Sequence, residues 1–316
     1  MGLFYDFMIG VMIVQAYPKR ILSIQDQIQS LKNSGLNITS SDQIEKVLNI
    51  IGYYRLRGYS HQWYDNTTKQ YKSGTNFSDI LDLYYFDMEL SHLLWGFLSQ
   101  IEVTIRTRFV NSILQSGQDA LALMDASQFR DKKLFWQNFS SVSSEIARSN
   151  DVFIKHHYDK HDGIIPIWAA VEVMSFGTLS KLIKNLKVEK GNAFSIFADY
   201  YKYLTSKQRL VNPSQECLTS WIHTCSVLRN ICAHNGRLYN RVINITPKII
   251  FIDQIIPMPK FSGVYQAVLA MKYLRPNEKT WQIFIQKLKE LFFNNQGKFD
   301  FNRLSFPNDW ETHMQN

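Results

Sequence analysis

The sequence predicts an all-α protein built as a bundle of helices. Apolar residues recur at steps of three and four residues along most of the chain, which is the spacing of an amphipathic helix. Strand and helix patterns do not alternate, so a parallel α/β sheet is not expected. Hydrophobic residues make up 45% of the 316 residues and aromatic residues 14%. This composition supports a large core and argues against extended disorder.

Two helices are expected near the N-terminus. The apolar positions of the first helix stop before Gly35, a residue that commonly ends a helix. The polar run 40–42 can cap a second helix that continues to Ile51. The segment 52–59 holds two glycines among aromatic residues and is predicted to interrupt helical structure.

A long helix with a continuous apolar stripe is predicted from about Ser78 to about Gln115. Glu102 and Arg106 lie four residues apart on this helix and therefore share one face. Two interpretations stay open for this pair. It is either a weak ion pair on the helix surface or an internal pair that orients a functional site.

Two further helices are predicted in the middle of the chain, over 129–146 and over 166–186. The second of these places a proline at its first helical position, where a missing N–H costs nothing. The next helix is expected to have Asn212 as its N-cap, Pro213 at its first position and Gly236 at its end. The run 242–256 is then predicted to be extended or loop, followed by helices over 264–273 and 281–293.

The first 16 residues are an atypical apolar extension, expected to be strand-like or helical. The extension has no basic segment, contains Asp6, and is shorter than the roughly 20 residues that a membrane span needs. A start of translation at Met8 or Met12 is the alternative interpretation of this segment. Residues 17–316 are expected to form a single domain, without any stretch that could cross a membrane.

The chain carries 35 Lys and Arg residues against 27 Asp and Glu residues, a net charge of +8, and its pI is near 9.2. This excess favours a polyanionic partner, although an ordinary basic protein fits the charge equally well. Cys217, Cys225 and Cys232 lie roughly 10–12 Å apart on a helix, too far to bridge one another. A reducing cytoplasm is the simplest location for such a protein.

The run 228–241 carries the chemistry that the sequence predicts. It places the guanidinium of Arg229, the amide of Asn230 and the imidazole of His234 within one and a half helical turns. Such a set can bind a phosphodiester and move a proton near neutral pH. With an RNA 2′-hydroxyl as the nucleophile, it predicts RNA cleavage without a metal or other cofactor.

The predicted roles follow from side-chain properties. His234 is the acid–base group, Arg229 binds the phosphate oxygens, and Asn230 orients either the imidazole or the phosphate. Arg237, Asn240 and Arg241 are predicted to bind the RNA phosphates on either side of the cleaved one.

Helix geometry limits how Arg229 and His234 can meet. Five residues apart, they point about 140° away from each other on an ideal helix. Convergence therefore requires a long Arg side chain, a helix that ends near Ala233, or a second subunit. The last two together are favoured, and a homodimer is expected. The structural alternative makes His234 a helix residue favoured by the C-terminal dipole, with Arg229 as a surface ion-pair partner.

Other chemistries have less support. His156, His157 and His161 could contribute metal ligands, but no second ligand set accompanies them, and a solvated polar turn is favoured. No phosphate-binding loop, dinucleotide fingerprint or serine-hydrolase motif occurs.

Five segments in the right order make the chain resemble the bacterial abortive-infection (Abi) family of phage-resistance proteins, in the AbiD and AbiF branch. The resemblance runs from about Pro18 to about His313. The segments that carry it are 51–59, 100–106, 166–179, 229–241 and 306–310.

The resemblance implies an all-helical fold with a HEPN-like four-helix nuclease module over about 78–242 and extra helices from both termini. The HEPN pattern of Arg, a polar residue, three variable positions and His matches Arg229, Asn230 and His234. The resemblance further implies a metal-independent endoribonuclease that acts as a dimer, halts growth of a phage-infected cell, and in some relatives pairs with a noncoding RNA. Glu102 and Arg106 are supporting residues in this hypothesis. The alternative is a non-catalytic RNA-binding or regulatory protein that uses the same basic groove.

Overall fold

A computed structural model describes residues 20–205, 207–250 and 263–314. Regular structure in these residues is almost entirely helical, which confirms the predicted all-α class. Beside the α-helices lie short 3₁₀ helices and two antiparallel hairpins of two-residue strands: β1 and β2 (Tyr64–Asp65 and Gln70–Tyr71), and β3 and β4 (Tyr203–Leu204 and Leu210–Val211). The helices are α1 (Ile24–Asn33), α2 (Ser41–Ile51), α3 (Tyr53–Tyr59), α4 (Phe77–Gln115), α5 (Lys132–Ala147), α6 (Val152–Lys160), α7 (Ile167–Val173), α8 (Phe176–Asn185), α9 (Ala193–Asp199), α10 (Gln215–Ala233), α11 (Val264–Leu274), α12 (Glu278–Asn294) and α13 (Trp310–Met314).

The chain divides into two compact units, the first ending at Asp82 and the second beginning at Leu83. In the first unit, α1 and α2 begin at serine caps. Ser23 Oγ accepts from the N–H of Asp26 at 3.1 Å, and Ser40 caps α2 in the same way. The two predicted N-terminal helices are confirmed, and their apolar faces bury Ile28, Leu31, Ile44 and Leu48.

Helix α3 occupies the segment that was predicted to interrupt helical structure, so that prediction was wrong. Gly52 adopts a φ of +84°, which separates α2 from α3 but lets the chain re-enter a helix at once. Arg57 then ties α3 to the β1–β2 hairpin. Its guanidinium carbon lies 4.1 Å from the ring centroid of Tyr64, and its Nη1 donates to the hydroxyl of Tyr71 at 2.7 Å.

The second unit is organised around the part of α4 from Leu83 onward. The whole helix begins one residue before the predicted start and ends at the predicted Gln115. A continuous row of side chains on this helix has no exposed surface, and this burial explains why periodicity alone located it. Helix α10 packs against α8 and α11, also in the second unit. The fully buried row on α4 includes Leu83, Leu90, Leu94, Ile101, Ile105 and Phe109.

The helix predicted over 166–186 is two helices. Helix α7 ends at Val173, the next residue is extended, and Ser175 is the N-cap of α8. The carboxylate of Glu145, on α5, accepts from the Ser175 N–H at 3.1 Å and from the Thr178 hydroxyl at 3.0 Å. This distant carboxylate stabilises a break that the local sequence does not reveal. Pro166 is correspondingly the N-cap residue of α7, not its first helical residue.

Helix α10 begins two residues later than predicted. Ser214 is its N-cap and accepts from the N–H of Cys217 at 3.2 Å. Asn212, the predicted cap, instead donates to the carboxylate of Asp199 at 2.7 Å. The residue that caps the helix was therefore misassigned, because Asn212 has a better partner on a neighbouring segment.

Helices α11 and α12 confirm the two predicted C-terminal helices. The short α13 is held against them: Trp281 Nε1 donates to the Met314 carbonyl at 3.0 Å, and Lys272 Nζ donates to the His313 carbonyl at 2.7 Å. Residues 242–250 have no regular structure, as predicted, and the rest of that run lies outside the described residues.

No helix in the described ranges combines the length and apolar character that a membrane crossing requires. The predicted extension over residues 1–16, with its alternative start sites, lies outside the residues that the structure describes.

We expect Ser175→Ala to lower the free energy of unfolding by about 1 kcal/mol, because α8 loses its N-cap acceptor. Ser143→Ala is the matched control. Its hydroxyl donates only within α5, to Ser140 O at 3.0 Å, and alanine is a good helix former there. Urea unfolding of both variants measures the difference. Equal midpoints for the two variants would show that the cap does not stabilise the break.

Candidate functional site

The C-terminal end of α10 presents the predicted site residues. The helix ends at Ala233, as convergence of the site required, and His234 is its C-cap. Asn235 adopts the left-handed conformation with a φ of +52°, and the N–H of Gly236 donates back to Ile231 O at 2.8 Å. This is a Schellman-type ending, in which the last carbonyls are satisfied by the chain that turns back.

Gly236 does not stop the helix in the way that was predicted. Asn235 takes the left-handed position, and Gly236 follows it where the chain passes close to the helix. A Cβ on Gly236 would lie 3.0 Å from Ile231 Cγ2 and 3.1 Å from Ile231 O. Both contacts are tighter than most Cβ contacts in proteins, so a side chain at this position would force Ile231 to shift by a few tenths of an ångström.

A buried carboxylate holds Arg229 in place. Glu102 on α4, only 6% exposed, accepts from Arg229 Nε at 2.9 Å through Oε2. Its Oε1 accepts from Arg106, four residues later. Arg106 also donates to the backbone carbonyls of Val171 and Met174, the latter at 2.8 Å. The structure therefore brings Glu102 into contact with the motif helix, and the pair of Glu102 and Arg106 is internal rather than on the surface.

The remaining polar groups of the motif face solvent. Asn230 and His234 are exposed, and the Arg229 side chain keeps a third (33%) of its surface accessible. Arg229 Nη1 donates to Asn230 Oδ1 at 3.2 Å, and the His234 N–H donates to the Asn230 carbonyl at 3.0 Å. A fixed cation, an amide and an imidazole are thus accessible at one helix end, which suits binding of a phosphate and transfer of a proton.

A second buried carboxylate fixes the loop after α10. Asp87 on α4 accepts from the N–H of Leu238 at 3.0 Å and from the N–H of Tyr239 at 2.7 Å. Sequence reasoning missed Asp87, although a charged residue inside the buried row of α4 was a usable indication. The loop that Asp87 fixes carries the three residues that were predicted to contact RNA. Asn240 and Arg241 are exposed and Arg237 is half-buried, and Arg241 Nη1 lies 3.4 Å from Arg237 O.

The two buried cysteines of α10, Cys225 and Cys232, are unsuited to nucleophilic chemistry. All three are free thiols. Burial raises the pKa of Cys232 to about 11, against a small opposing effect of Ser91, and burial raises the pKa of Cys225 further. Because the thiolate is the reactive form, these side chains act as apolar packing groups at neutral pH.

The histidine cluster predicted to be a polar turn lies on and just after α6. The rings of His156 and His157 each lie 5.1 Å, centroid to centroid, from the ring of His161. Within residues 20–205, 207–250 and 263–314, no group of three or more His, Cys, Asp or Glu side chains has the geometry of a metal site. The cluster is therefore no competing candidate for a metal centre within those ranges.

A family model described as Abi-like protein matches residues 46–240, well over half of the chain. The matched range contains every candidate site residue except Arg241. It is shorter than the resemblance predicted from the sequence, and the segment 306–310 lies outside it. No curated protein and no solved structure matches the chain.

We expect Glu102→Gln to lower the free energy of unfolding by about 3 kcal/mol, the usual cost of removing one partner from a buried ion pair. The amide keeps the shape of the carboxylate but turns an N–H group toward one of the two guanidiniums. The pair of half-buried Lys289 and exposed Glu311, 3.0 Å apart, provides the control. Glu311→Gln should leave the urea midpoint nearly unchanged. An equally small shift of the midpoint in Glu102→Gln would contradict the assigned role of Glu102.

We expect Gly236→Ala to destabilise the second unit by about 1–2 kcal/mol, because the added Cβ meets backbone that cannot move away cheaply. Gly96→Ala is the control: it lies inside α4, where an added Cβ meets nothing within 4 Å. That change should stabilise the helix by about 1 kcal/mol. Thermal unfolding of the two variants should give shifts of opposite sign, and shifts of the same sign would exclude the steric explanation.

Proposed function

The chain belongs to the Abi-like protein family, and on that premise we propose that it is a metal-independent endoribonuclease of the abortive-infection type. Membership of that family supports a role in phage defence. One observation carries the catalytic part of the proposal: buried Glu102 holds Arg229 at 2.9 Å beside exposed Asn230 and His234. A charged residue anchored on one side and accessible on the other is typical of a preorganised anion site.

RNA is the proposed substrate because the exposed groups suit a phosphodiester chain. Arg229 keeps N–H groups that can donate to the scissile phosphate while its Nε is bound to Glu102. Arg237, Asn240 and Arg241 follow on a loop anchored by Asp87, where they can contact phosphates on either side. The net charge of +8 favours encounter with a polyanion.

The proposed reaction is an internal transesterification. The 2′-hydroxyl of one ribose loses its proton to an imidazole, and its oxygen attacks the adjacent phosphorus. The bond from phosphorus to the 5′-oxygen of the next nucleotide breaks, and that oxygen takes up a proton. The products carry a 2′,3′-cyclic phosphate and a 5′-hydroxyl, and the guanidinium of Arg229 stabilises the charge that develops on the phosphate oxygens.

We propose that the active form is a homodimer with two α10 ends facing one groove. One proton must be removed and another delivered in the same reaction, and a second His234 would supply the second acid–base group. Two facing Arg229 side chains would flank the same phosphate. The proposed HEPN-like module, over about 78–242, includes α4 and α10, the two helices that Glu102 and Asp87 connect.

We expect His234→Ala to reduce RNA cleavage by on the order of 10²- to 10⁴-fold, the usual contribution of an acid–base group, while RNA binding changes little. Arg229→Ala should weaken both binding and cleavage. The assay follows the 2′,3′-cyclic phosphate released from a short single-stranded RNA. A matched RNA with one 2′-deoxyribose at the cleaved position should not be cut there.

His223→Ala is the control on the same helix. His223 precedes His234 by eleven residues, about 16 Å along a helix axis, and burial with nearby Lys184 and Lys181 lowers its pKa. This variant should cleave at the wild-type rate. Growth arrest that survives His234→Ala would overturn the catalytic proposal and favour the alternative of a non-catalytic RNA-binding protein.

A further inference from the structure

Helices α8 and α10 pack side by side in the second unit and run in opposite directions. A Cβ on Gly177, in the first turn of α8, would lie 3.8 Å from the Oγ of Ser226, three residues before Arg229. At the other end of the pair, Gln215 Nε2 donates to the Leu186 carbonyl at 2.9 Å. Helix α8 therefore begins near the motif end of α10 and leads away from the candidate site.

Both helices belong to stretches of sequence without acidic residues. Asp and Glu are absent from 173–188, which contains α8, and from 217–252, which contains α10 from its third residue onward. The first stretch carries three lysines, and the second carries three arginines and one lysine. Glu216, just before the second stretch, is paired with Lys248 at 2.9 Å. Cations without neighbouring carboxylates on their own helices create a positive potential that attracts polyanions.

Two unpaired lysines lie on the exposed face of α8. Lys181 and Lys184 are both exposed, and among the described residues no carboxylate forms an ion pair with either of them. Both ammonium groups lie near His223 on α10. Burial lowers the pKa of His223, and the charges of Lys184 and Lys181 lower it further. The imidazole is therefore neutral at pH 7, so the positive charge of this surface comes from the lysines.

Arg130 extends the same surface beyond the C-terminal end of α8. It is exposed, its Nη2 donates to the Lys184 carbonyl at 2.9 Å, and its N–H donates to the Asn185 carbonyl at 2.8 Å. A carbonyl does not neutralise a guanidinium, and no carboxylate of the described residues forms an ion pair with Arg130. The adjacent Asp131 accepts instead from the Leu134 N–H at 2.9 Å, as the N-cap of α5.

We propose that Lys181, Lys184 and Arg130 form a basic face that binds the RNA on one side of the cleaved phosphate. This inference rests on the proposed function, because it takes RNA to be the substrate at Arg229. Lys184 lies seven residues along α8 from Gly177, a distance of about 10 Å. Phosphates of a stacked strand follow one another at about 3.4 Å along its axis, so this distance spans about three nucleotides. The substrate is therefore an RNA strand that extends several nucleotides beyond the cut.

The test is RNA binding by the full chain carrying His234→Ala, so that the probe is not cleaved. A labelled twelve-nucleotide oligouridylate is followed by fluorescence anisotropy between about 50 and 200 mM salt. Lys181→Gln together with Lys184→Gln should weaken binding at least about tenfold at the lower salt concentration. The slope of log K against log salt should fall by about 1.4, since each phosphate contact on a single strand contributes about 0.7. A three-nucleotide oligouridylate, measured as a competitor, should bind both chains alike, because it occupies the site at Arg229 without reaching the basic face.

Lys155→Gln together with Lys160→Gln, at two exposed positions on α6, is the matched control. It removes the same net charge and should keep the affinity and the salt slope of the parent chain. The inference is overturned if the Lys181 and Lys184 variant binds the longer RNA no more weakly than this control does. It is also overturned if the parent chain binds twelve nucleotides no better than three, or if the shorter RNA loses as much affinity as the longer one. A failure of the nuclease assignment would appear instead in the cleavage assay of the wild-type chain, with this difference in binding intact.

Discussion

The candidate site depends on one buried carboxylate. Glu102 lies between two guanidiniums, those of Arg106 and Arg229, and it is almost completely shielded from water. A charge in such a place is tolerated only when its partners compensate for lost hydration, and each oxygen of Glu102 has an arginine partner. The Nε of Arg229 is thereby bound to Glu102, while a third (33%) of the side chain stays accessible to solvent. The position of Arg229 follows from this contact more than from its place on α10.

The break between α7 and α8 supports the same network. The last carbonyls of a helix have no partner within the helix and carry partial negative charge. Arg106 donates to two such carbonyls at the end of α7, those of Val171 and Met174. Helix α7 ends there because Ser175 caps α8 and because Glu145 binds the Ser175 N–H. A chain of hydrogen bonds through Arg106 and Glu102 thus links the packing of α5 against α8 to the guanidinium of Arg229.

Two carboxylates on α4 define the geometry of the motif segment. Glu102 binds the side chain of Arg229, and Asp87 binds the backbone of the loop after the helix. His234 lies between these anchors, on a helix end closed by Asn235 and Gly236. The imidazole stays exposed while the backbone around it is fixed on both sides, which is the combination that an acid–base group on a surface needs.

The sequence by itself determined the all-α class, the extent of α4, the two C-terminal helices and the ending of α10 near Ala233. Each follows from local properties, because a long apolar stripe or a turn residue acts through its near neighbours in the chain. The sequence also brought Glu102, Arg106, Arg229 and His234 to attention, but it left Glu102 and Arg106 open between surface and interior. Only the tertiary structure decided that both are buried and that Glu102 binds a residue 127 positions away. The role of Asp87, the break after Val173 and the capping of α10 by Ser214 were decided in the same way. In the first two cases the deciding partner is distant in sequence and lies in the interior, where a hydrogen bond can override local preference. In the third, Asn212 is bound by the exposed carboxylate of Asp199, thirteen residues earlier, and Ser214 caps α10 instead.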